Sequence, residues 1–481
     1  MCERPGLSRR DFVRYAASGA AALLLAGCGA TRKRGLSRSS LEQTGLADRA
    51  GFRRLADVAL NASAADHLLV SLRETDEDAV VFSHNEIVQC VDVGDRGLAV
   101  SLLFGQQAGG AVTGDLSDEG VAAAVRQAER VAKESEPDPE HLPPLPPQRY
   151  LVLPTFRPET AAAGSARCAA DAADVINLCR PEKLEATGSV CTSASAVGVA
   201  ANSGLFAFER LTRAEFSLTA CGANSAGWVG NANRSIDDLG VIERTRVAVE
   251  KATRADSPRA LPAGRYTAIL EPAAVAGLVA WLLRAMDARA YHSGTSALSG
   301  KLGQQVIDRR LTLRNRPDHP SLLGRSFDGE GLPSDARSRI EHGVLEELNY
   351  DRCTAKRHGA SPSYRPDALH LAGDGPAGES VDDLVRATER GVLVTSFSGI
   401  RRVSAGGLTL AGLTQGGTFL VEDGKIAGGL VNACWEDSPL RVFNEVAAFT
   451  PPADAMTTEG EKMLVPAMVI RDFNFARLTQ A

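Results

Sequence analysis

Two acidic residues separated by one glycine are the side chains of this sequence best placed to do chemistry. Asp328 and Glu330 lie in the string Phe-Asp-Gly-Glu-Gly, which covers residues 327–331. Two neighbouring carboxylates could exchange protons with a substrate or hold a backbone amine. The flanking glycines favour a second interpretation, a tight turn in which Gly supplies a positive φ and Asp bonds its own backbone. Asp328 and Glu330 are therefore candidate substrate contacts whose alternative role is structural.

The histidines are few and scattered, and none forms a recognisable metal site. His84 and Glu86 lie two apart in an apparent strand and turn, where their side chains could point the same way, but no third ligand accompanies them. His292 would need at least two partners, and Glu341 with His342 falls in a turn signal. We interpret these groups as solvated surface residues, and we expect no bound cofactor.

Serines and glycines do not complete a catalytic arrangement either. No Gly-x-Ser-x-Gly string encloses a serine near Ser293, so a serine hydrolase is not expected. The pairs Gly406-Gly407 and Gly416-Gly417 lack the lysine context of a phosphate-binding loop and indicate tight turns.

The elements around these residues predict an α+β fold, with an N-terminal α/β region and a strand-rich, mixed C-terminal domain. Apolar residues recur on one face of a predicted helix at 274–289, which precedes the Asp328 region. Asn202-Ser203-Gly204, His342-Gly343 and Asp423-Gly424 predict hairpin turns. Other expected helices cover 51–61, a segment capped by Ser117, 159–178 and 235–253, and expected strands cover 67–72, 79–82 and 98–104.

Six prolines between 136 and 148 mark the clearest boundary, because proline interrupts both helix and sheet. The predicted organisation is a signal at 1–28, a tether at 29–40, an N-terminal α+β domain at 41–135, a proline-rich linker at 136–150, a middle α+β domain at 151–258 and a β-rich C-terminal domain at 259–481.

Several longer strings resemble one peptidase family in their order and spacing. They are SGTSALSGKLGQQV from Ser293, SFDGEG from Ser326, IEHGVLEEL from Ile340, YTAILEPAAV from Tyr266, the segment 389–426 and MLVPAMVIRDF from Met463. Together they resemble the TldD/PmbA group, whose active members carry an H-E-x-x-x-H metal motif on a helix. The resemblance implies a C-terminal domain of the TldD/PmbA type.

The metal motif itself is absent. Counting back from Ser299, the resemblance places the ligands at Val279, Ala280 and Arg284. Two imidazoles one turn apart can bind zinc while a Glu activates its water, whereas these residues can do neither. The family's C-terminal cysteine is also missing from the neighbourhood of Met463. The resemblance therefore implies a metal-free type of subunit that pairs with a metal-bearing TldD-like paralogue and acts with it on unfolded peptide.

The first 28 residues predict export and lipid attachment. Ser-Arg-Arg-Asp-Phe, with Arg9 and Arg10, resembles a twin-arginine signal, and Leu-Ala-Gly-Cys ends at Cys28 like a lipobox. The apolar run at 16–26 is too short for a permanent membrane span, which needs about 18 residues or more. We expect a membrane-anchored lipoprotein of the bacterial cell envelope; the alternatives are a soluble exported protein cut nearby and a chance basic-apolar start.

Charge and cysteine content exclude two further classes. A net charge of −6 and a pI near 5.9 leave no basic surface for nucleic acid. Nine cysteines at irregular spacing form no disulfide framework, and we expect mostly buried free thiols.

Three functional hypotheses follow. The first and favoured one is the zinc-free subunit of a peptidase complex acting on unfolded peptides. The second is a stand-alone, envelope-tethered peptide-binding protein without catalysis. The third is a peptidase whose metal ligands have moved elsewhere in the sequence.

Overall fold

The computed structural model describes residues 45–404 and 406–476. The predicted signal with Arg9, Arg10 and Cys28, and the tether at 29–40, lie outside these residues. The helices described are α1 Arg49–Asn61, α2 Asp118–Glu134, α3 Pro158–Ala161, α4 Gly164–Cys179, α5 Val241–Arg254, α6 Pro272–Ala285, α7 Ala288–His292, α8 Arg352–His358, α9 Val381–Arg386 and α10 Pro439–Val442. Short 3₁₀ turns cover Arg180–Glu182 and Asp237–Leu239. No helix in this part of the chain is long and apolar enough to cross a membrane.

Nineteen strands are described, and they form three sheets. They are β1 His67–Ser83, β2 Glu86–Phe104, β3 Gln107–Thr113, β4 Glu185–Ala201, β5 Phe206–Cys221, β6 Ala226–Asn233, β7 Gly264–Leu270, β8 Leu311–Asn315, β9 Ser338–Glu341, β10 Val344–Leu345, β11 Leu369–Gly373, β12 Arg390–Ser404, β13 Thr409–Glu422, β14 Lys425–Gly429, β15 Cys434–Asp437, β16 Val446–Phe449, β17 Ala453–Met456, β18 Lys462–Val465 and β19 Met468–Ala476.

The first sheet has the order β3-β2-β1-β4-β5-β6 and is antiparallel throughout. Alternate residues along its strands, such as Leu68, Val70 and Phe216, are buried against helices α1, α2, α4 and α5. On the opposite face Val199 and Leu205 pack with Phe327 and with side chains of the proline-rich linker. The linker therefore lies between this sheet and the C-terminal part of the chain.

This sheet continues across the predicted boundary at 136–150. Strand β1 pairs with β4 from Leu69 to Phe82, so the predicted N-terminal and middle domains share one sheet. Their separation into two domains stays a prediction.

The C-terminal part contains the other two sheets. One has the order β10-β9-β8-β11-β18-β17. In the other sheet, β12, β7, β19, β15 and β13 are neighbours in that order, and they form a closed ring because β12 also pairs with β13. Outside this ring, β14 pairs with β13 and β16 pairs with β19. Phe397, Trp435 and Phe473 meet in the core, with ring centroids 4.5 to 5.8 Å apart. Helix α6 packs on this ring and on β17 and β18.

Local signals in the sequence place several elements correctly. Ser117 caps α2 by accepting a hydrogen bond from the Gly120 amide, as its position before an apolar run predicts. His342 and Gly343 both have positive φ, as do Asp423 and Gly424, so both pairs form the tight hairpin turns that were expected. The α+β fold class is confirmed.

Other boundaries differ from the predictions. The strands expected at 67–72 and 79–82 are one strand, β1, because the polar residues between them pair with β2 on one side and β4 on the other. The helix expected at 274–289 ends at Ala285, and a second helix starts behind the Asp287 cap. The helix expected at 159–178 is divided in the same way at Ala162–Ala163, between α3 and α4.

The seven cysteines within the described residues are free, but only some of them are buried. Cys168 and Cys179 lie on the buried face of α4, as expected for structural thiols. Cys90 and Cys353 are exposed, which corrects the expectation for these two. Cys90 lies where β2 has no pairing with β3, and Cys353 lies in the first turn of α8.

Candidate functional site

Helix α6 carries the three positions at which the sequence resemblance places metal ligands. Val279 and Ala280 are buried in the C-terminal core, with 0% and 4% of their surfaces exposed. Arg284 lies in the last turn of the helix, and its guanidinium lies 5.0 Å from the centre of the Trp281 ring. Two of the positions therefore contribute to packing and the third is a cation.

An ion pair joins the two places where ligands were expected. Arg284 Nη2 lies 3.0 Å from Glu461 Oε1, and Glu461 belongs to the segment in which the family's cysteine was sought. Burial raises the pKa of Glu461, and the charge of Arg284 opposes this shift. The helix and the C-terminal segment thus meet in space, but a salt bridge links them.

Further contacts fix the Glu461 segment against the first sheet. Lys462, which is buried, donates from Nζ to Asn231 Oδ1 at 2.7 Å, and burial lowers the pKa of this lysine. Arg213 Nη2 donates to the Gly460 carbonyl at 2.7 Å. The segment is therefore held in place by side chains of β5 and β6.

The residues at these positions do not fit a divalent metal, because two are apolar and one is positively charged. Between residues 45 and 404 and between 406 and 476, no three His, Cys, Asp or Glu side chains lie close enough together to hold one.

His292, the histidine nearest the missing motif, ends helix α7. Its Nε2 lies 2.8 Å from the Tyr350 hydroxyl, and its ring stacks on His358 with centroids 3.6 Å apart and planes within 5°. Desolvation, together with the nearby His292 and Arg357, lowers the pKa of His358. A zinc ion lies close to the plane of each imidazole ligand at about 2 Å, so a single ion cannot serve two parallel rings in this arrangement.

The remaining histidine candidates lie on exposed turns. His84 has a positive φ, and its Nε2 is 3.7 Å from Glu185, with Glu86 as the next strand's first residue. His342 lies on the β9–β10 turn, directly after Glu341. Its Nδ1 is 3.5 Å from Asp374 Oδ2. Within the described residues, none of these histidines belongs to a group of three side chains that could hold a metal ion.

Asp328 forms the turn that its glycine neighbours indicate. Its Oδ1 accepts hydrogen bonds from the amides of Glu330 and Leu332, both at 2.9 Å. Burial raises the pKa of Asp328, and these two backbone bonds act against the shift. Gly331 has a φ of +81°, a backbone conformation that favours glycine, and a Cβ there would lie 2.9 Å from Leu205, whose side chain would have to shift.

Glu330 projects from this turn towards helix α8. Its Oε2 lies 2.8 Å from Arg352 Nη1, and 53% of the Glu330 side chain is exposed. The Gly331 carbonyl accepts from the Tyr150 hydroxyl at 2.9 Å, and burial, together with the Asp328 charge, raises the pKa of Tyr150 to about 12. The turn therefore packs on the proline-rich linker.

A cleft of about 520 Å³ lies beside this turn, between the first sheet, the linker and helices α7 and α8. Its lining residues are His67, Leu69, Ser101, Leu102, Asp138, Glu140, His141, Leu142, Pro144, Arg289, Glu330, Arg352, Cys353 and Arg357. Glu330 lines the cleft, whereas Asp328 does not. Contact of either carboxylate with substrate stays a prediction, and the geometry favours Glu330 for it.

Replacing Asp328 by Ala is expected to lower the free energy of unfolding by about 1–3 kcal/mol, because two amides lose a buried acceptor. Glu330→Ala is the matched control in the same turn; the Glu330 side chain is 53% exposed, so loss of its ion pair with Arg352 should cost about 0–1 kcal/mol. Urea unfolding of both variants measures the difference. Equal, small effects would contradict the structural role of Asp328.

The sequence did not indicate the arginines of the cleft. Arg352 and Arg357 lie on α8, which begins behind the Asp351 cap in a seven-residue helix with three basic residues in its last turn. A capping aspartate before a short basic segment was the available signal. It could not show that the helix faces a linker more than 200 residues earlier in the chain.

Comparison with known proteins agrees with the motifs in the sequence. Residues 263–477 match the PmbA/TldA metallopeptidase C-terminal domain. The metalloprotease PmbA of Escherichia coli O157:H7 is 24% identical over 386 residues, which cover 76% of this chain and 83% of that protein. A metalloprotease of Methanothermobacter thermautotrophicus is 27% identical over 225 residues, 44% of this chain and less than half, 47%, of that protein.

A solved structure shows the same fold. TldE from Thermococcus kodakarensis superposes with a TM-score of 0.80 at 20% identity, covering 89% of this chain and 100% of TldE. Fold and relatives together define a metallopeptidase-related protein. Residues 263–477 match the C-terminal domain of this family, so the resemblance to the TldD/PmbA group inferred from the motifs is confirmed.

Proposed function

We propose that this protein is the zinc-free subunit of a TldD/PmbA-type peptidase complex that acts on unfolded peptides. The observation that carries the proposal is the Arg284–Glu461 ion pair. This ion pair joins helix α6 to the segment around Glu461, the two places where active members carry metal ligands. Val279 and Ala280 are buried in the adjacent core. A chain of this kind contributes to peptide cleavage only with a partner that holds the metal.

In such a complex the residues of this chain bind and position, and the partner supplies the metal-activated water. The cleft beside Glu330 offers both charged and apolar groups to a peptide that approaches the joint site. Permanent complexes commonly bury about 2,000 Å² or more, so the partner would cover a large surface of this chain.

Co-expression with a metal-bearing paralogue from the same genome tests the proposal. We expect one stable complex by size-exclusion chromatography, zinc bound at one ion per paralogue, and faster cleavage of an unfolded peptide than by the paralogue alone. Purified without the paralogue, the protein is expected to hold no stoichiometric zinc and to show no chelator-sensitive cleavage. One tightly bound zinc per chain in the isolated protein would contradict the proposal. Failure to associate with any such paralogue would favour a stand-alone peptide-binding protein.

We also propose that the protein is exported by the twin-arginine route and anchored by lipid at Cys28. Cys28→Ala is expected to move the protein from the membrane to the soluble envelope fraction, or to stall its processing, because the lipid is attached through the thiol. Replacing Arg9 and Arg10 together by Lys is expected to retain the protein in the cytoplasm. Cell fractionation measures both effects, and Cys2→Ala is the control thiol. Unchanged membrane association of Cys28→Ala would refute the anchor.

A further inference from the structure

We propose that the cleft beside helix α8 binds the C-terminal carboxylate of an extended peptide, which replaces Glu140 on Arg357. This inference rests on the proposed peptide-handling function and assigns one end of the peptide to this chain. When no peptide is bound, the Glu140 carboxylate occupies the position on Arg357 that the peptide carboxylate would take.

The contact between Arg357 and Glu140 has the form of a ligand contact. Arg357 Nη2 lies 2.7 Å from one carboxylate oxygen of Glu140 and 2.8 Å from the other. A guanidinium is planar and permanently charged, and its donors match the geometry of a carboxylate. Any carboxylate that enters the cleft can therefore use the same donors.

Glu140 is held weakly enough to be replaced. Its side chain is 68% exposed and that of Arg357 is 51% exposed. Ion pairs between exposed side chains typically contribute about 0–1 kcal/mol. Glu140 belongs to the linker segment 138–144, which has no regular helix or strand, so its side chain can withdraw without disrupting a sheet.

The other two arginines of the cleft have different roles. Arg352 is 15% exposed and is fixed by Glu330 at 2.8 Å and by the Pro143 carbonyl, so it positions the linker. Arg289 is 69% exposed, and its contact with Asp351 is long, at 3.3 Å. Asp351 already caps α8 through the Thr354 amide. Arg289 is therefore the second cation within the cleft that can turn towards a bound anion.

The remaining lining fits a peptide better than a small anion. The volume of about 520 Å³ lies within the usual range of ligand pockets, about 300–1,000 Å³, and exceeds what one carboxylate requires. Leu69, Leu142 and Pro144 supply apolar surface for side chains that precede the terminal residue. Asp138 and Glu330 offer acceptors to backbone amides.

Binding of a fluorescein-labelled alanine–leucine hexapeptide to the isolated protein, followed by fluorescence polarisation, tests the inference. We expect Arg357→Gln to weaken binding at least tenfold and Glu140→Gln to tighten it several-fold, because one removes the donor and the other removes the competitor. A hexapeptide amidated at its C-terminus should bind at least tenfold more weakly than the free acid. Arg254→Gln is the matched control, since Arg254 is also 51% exposed and paired with an exposed glutamate, Glu250; it should leave binding unchanged.

Opposite effects of the Arg357 and Glu140 variants are essential, because general damage to the fold would weaken binding in both. Thermal unfolding of the variants, expected to match the parent, checks their integrity. Equal affinity for the free and amidated peptides would overturn the inference. Succinate that binds as tightly as the peptide would also overturn it, because the site would then recognise a small carboxylate. These measurements need no paralogue, so their failure is distinct from failure of the subunit proposal.

Discussion

Replacing Arg339 by Met is expected to lower the free energy of unfolding by about 3–5 kcal/mol, the largest single-residue effect that we predict. Arg339 is fully buried, with 0% of its side chain exposed. Its guanidinium contacts Glu347 at 2.6 Å, Asp335 at 3.2 Å and the Tyr364 carbonyl at 2.7 Å. Methionine fills a similar space but leaves two half-buried carboxylates without this cation.

Arg337→Met is the matched control for this prediction. Arg337 contacts the same two acids, Asp335 at 3.0 Å and Glu347 at 2.6 Å, but its side chain is 54% exposed. Loss of such an exposed pair is expected to cost about 0–1 kcal/mol. Urea unfolding of the two variants isolates the effect of burial, and similar losses in both would show that burial of Arg339 is not decisive.

Replacing Asp367 by Asn is expected to stabilise the protein at pH 8, by up to about 3 kcal/mol. Burial raises the pKa of Asp367 from 3.8 to about 6, although the Tyr364 hydroxyl bond and the charges of Arg325 and Arg234 act against this shift, and Glu209 adds to it. Among the described residues its Oδ1 is buried without a hydrogen-bond partner. Two pKa units correspond to about 3 kcal/mol.

The size of this effect depends on pH. A raised pKa in the folded state means that the native protein holds the proton more tightly, so this contribution is fully present below about pH 4 and is lost as pH rises through 6. The advantage of Asp367→Asn should therefore be small near pH 4, grow mainly between about pH 4 and pH 6, and be nearly constant above about pH 7. Asp374→Asn, with 77% of the native side chain exposed, is the control. A difference that does not change with pH would contradict the prediction.

Local signals predicted the fold where the physical cause lies within a few residues. The Ser117 cap and the Asp423-Gly424 turn depend on a side chain and on a backbone conformation that the residue types specify directly. Pairing partners are not specified in this way. The polar residues inside β1 looked like a break between two strands, but two neighbouring strands satisfy their backbone groups.

The site was predictable only in part for the same reason. The spacing of the motifs indicated the family and identified Val279, Ala280 and Arg284 as the residues at its metal-ligand positions. It did not show that Arg284 meets Glu461, because that contact joins residues 177 positions apart. The cleft is likewise formed by β1, the linker and α8, whose sequences carry no common pattern. Contacts between distant segments decide what these residues touch.

The closed ring of strands also determines when the C-terminal core can fold during synthesis of the protein. Strand β7 pairs with β19, and Leu270 lies opposite Met468, roughly 200 residues later. Until the ribosome has added β19, one edge of β7 and the aromatic core around Trp435 have no permanent cover. The C-terminal half therefore cannot complete its core before residues 468–476 have been synthesised, and a chain interrupted before residue 468 would expose strand edges that favour aggregation.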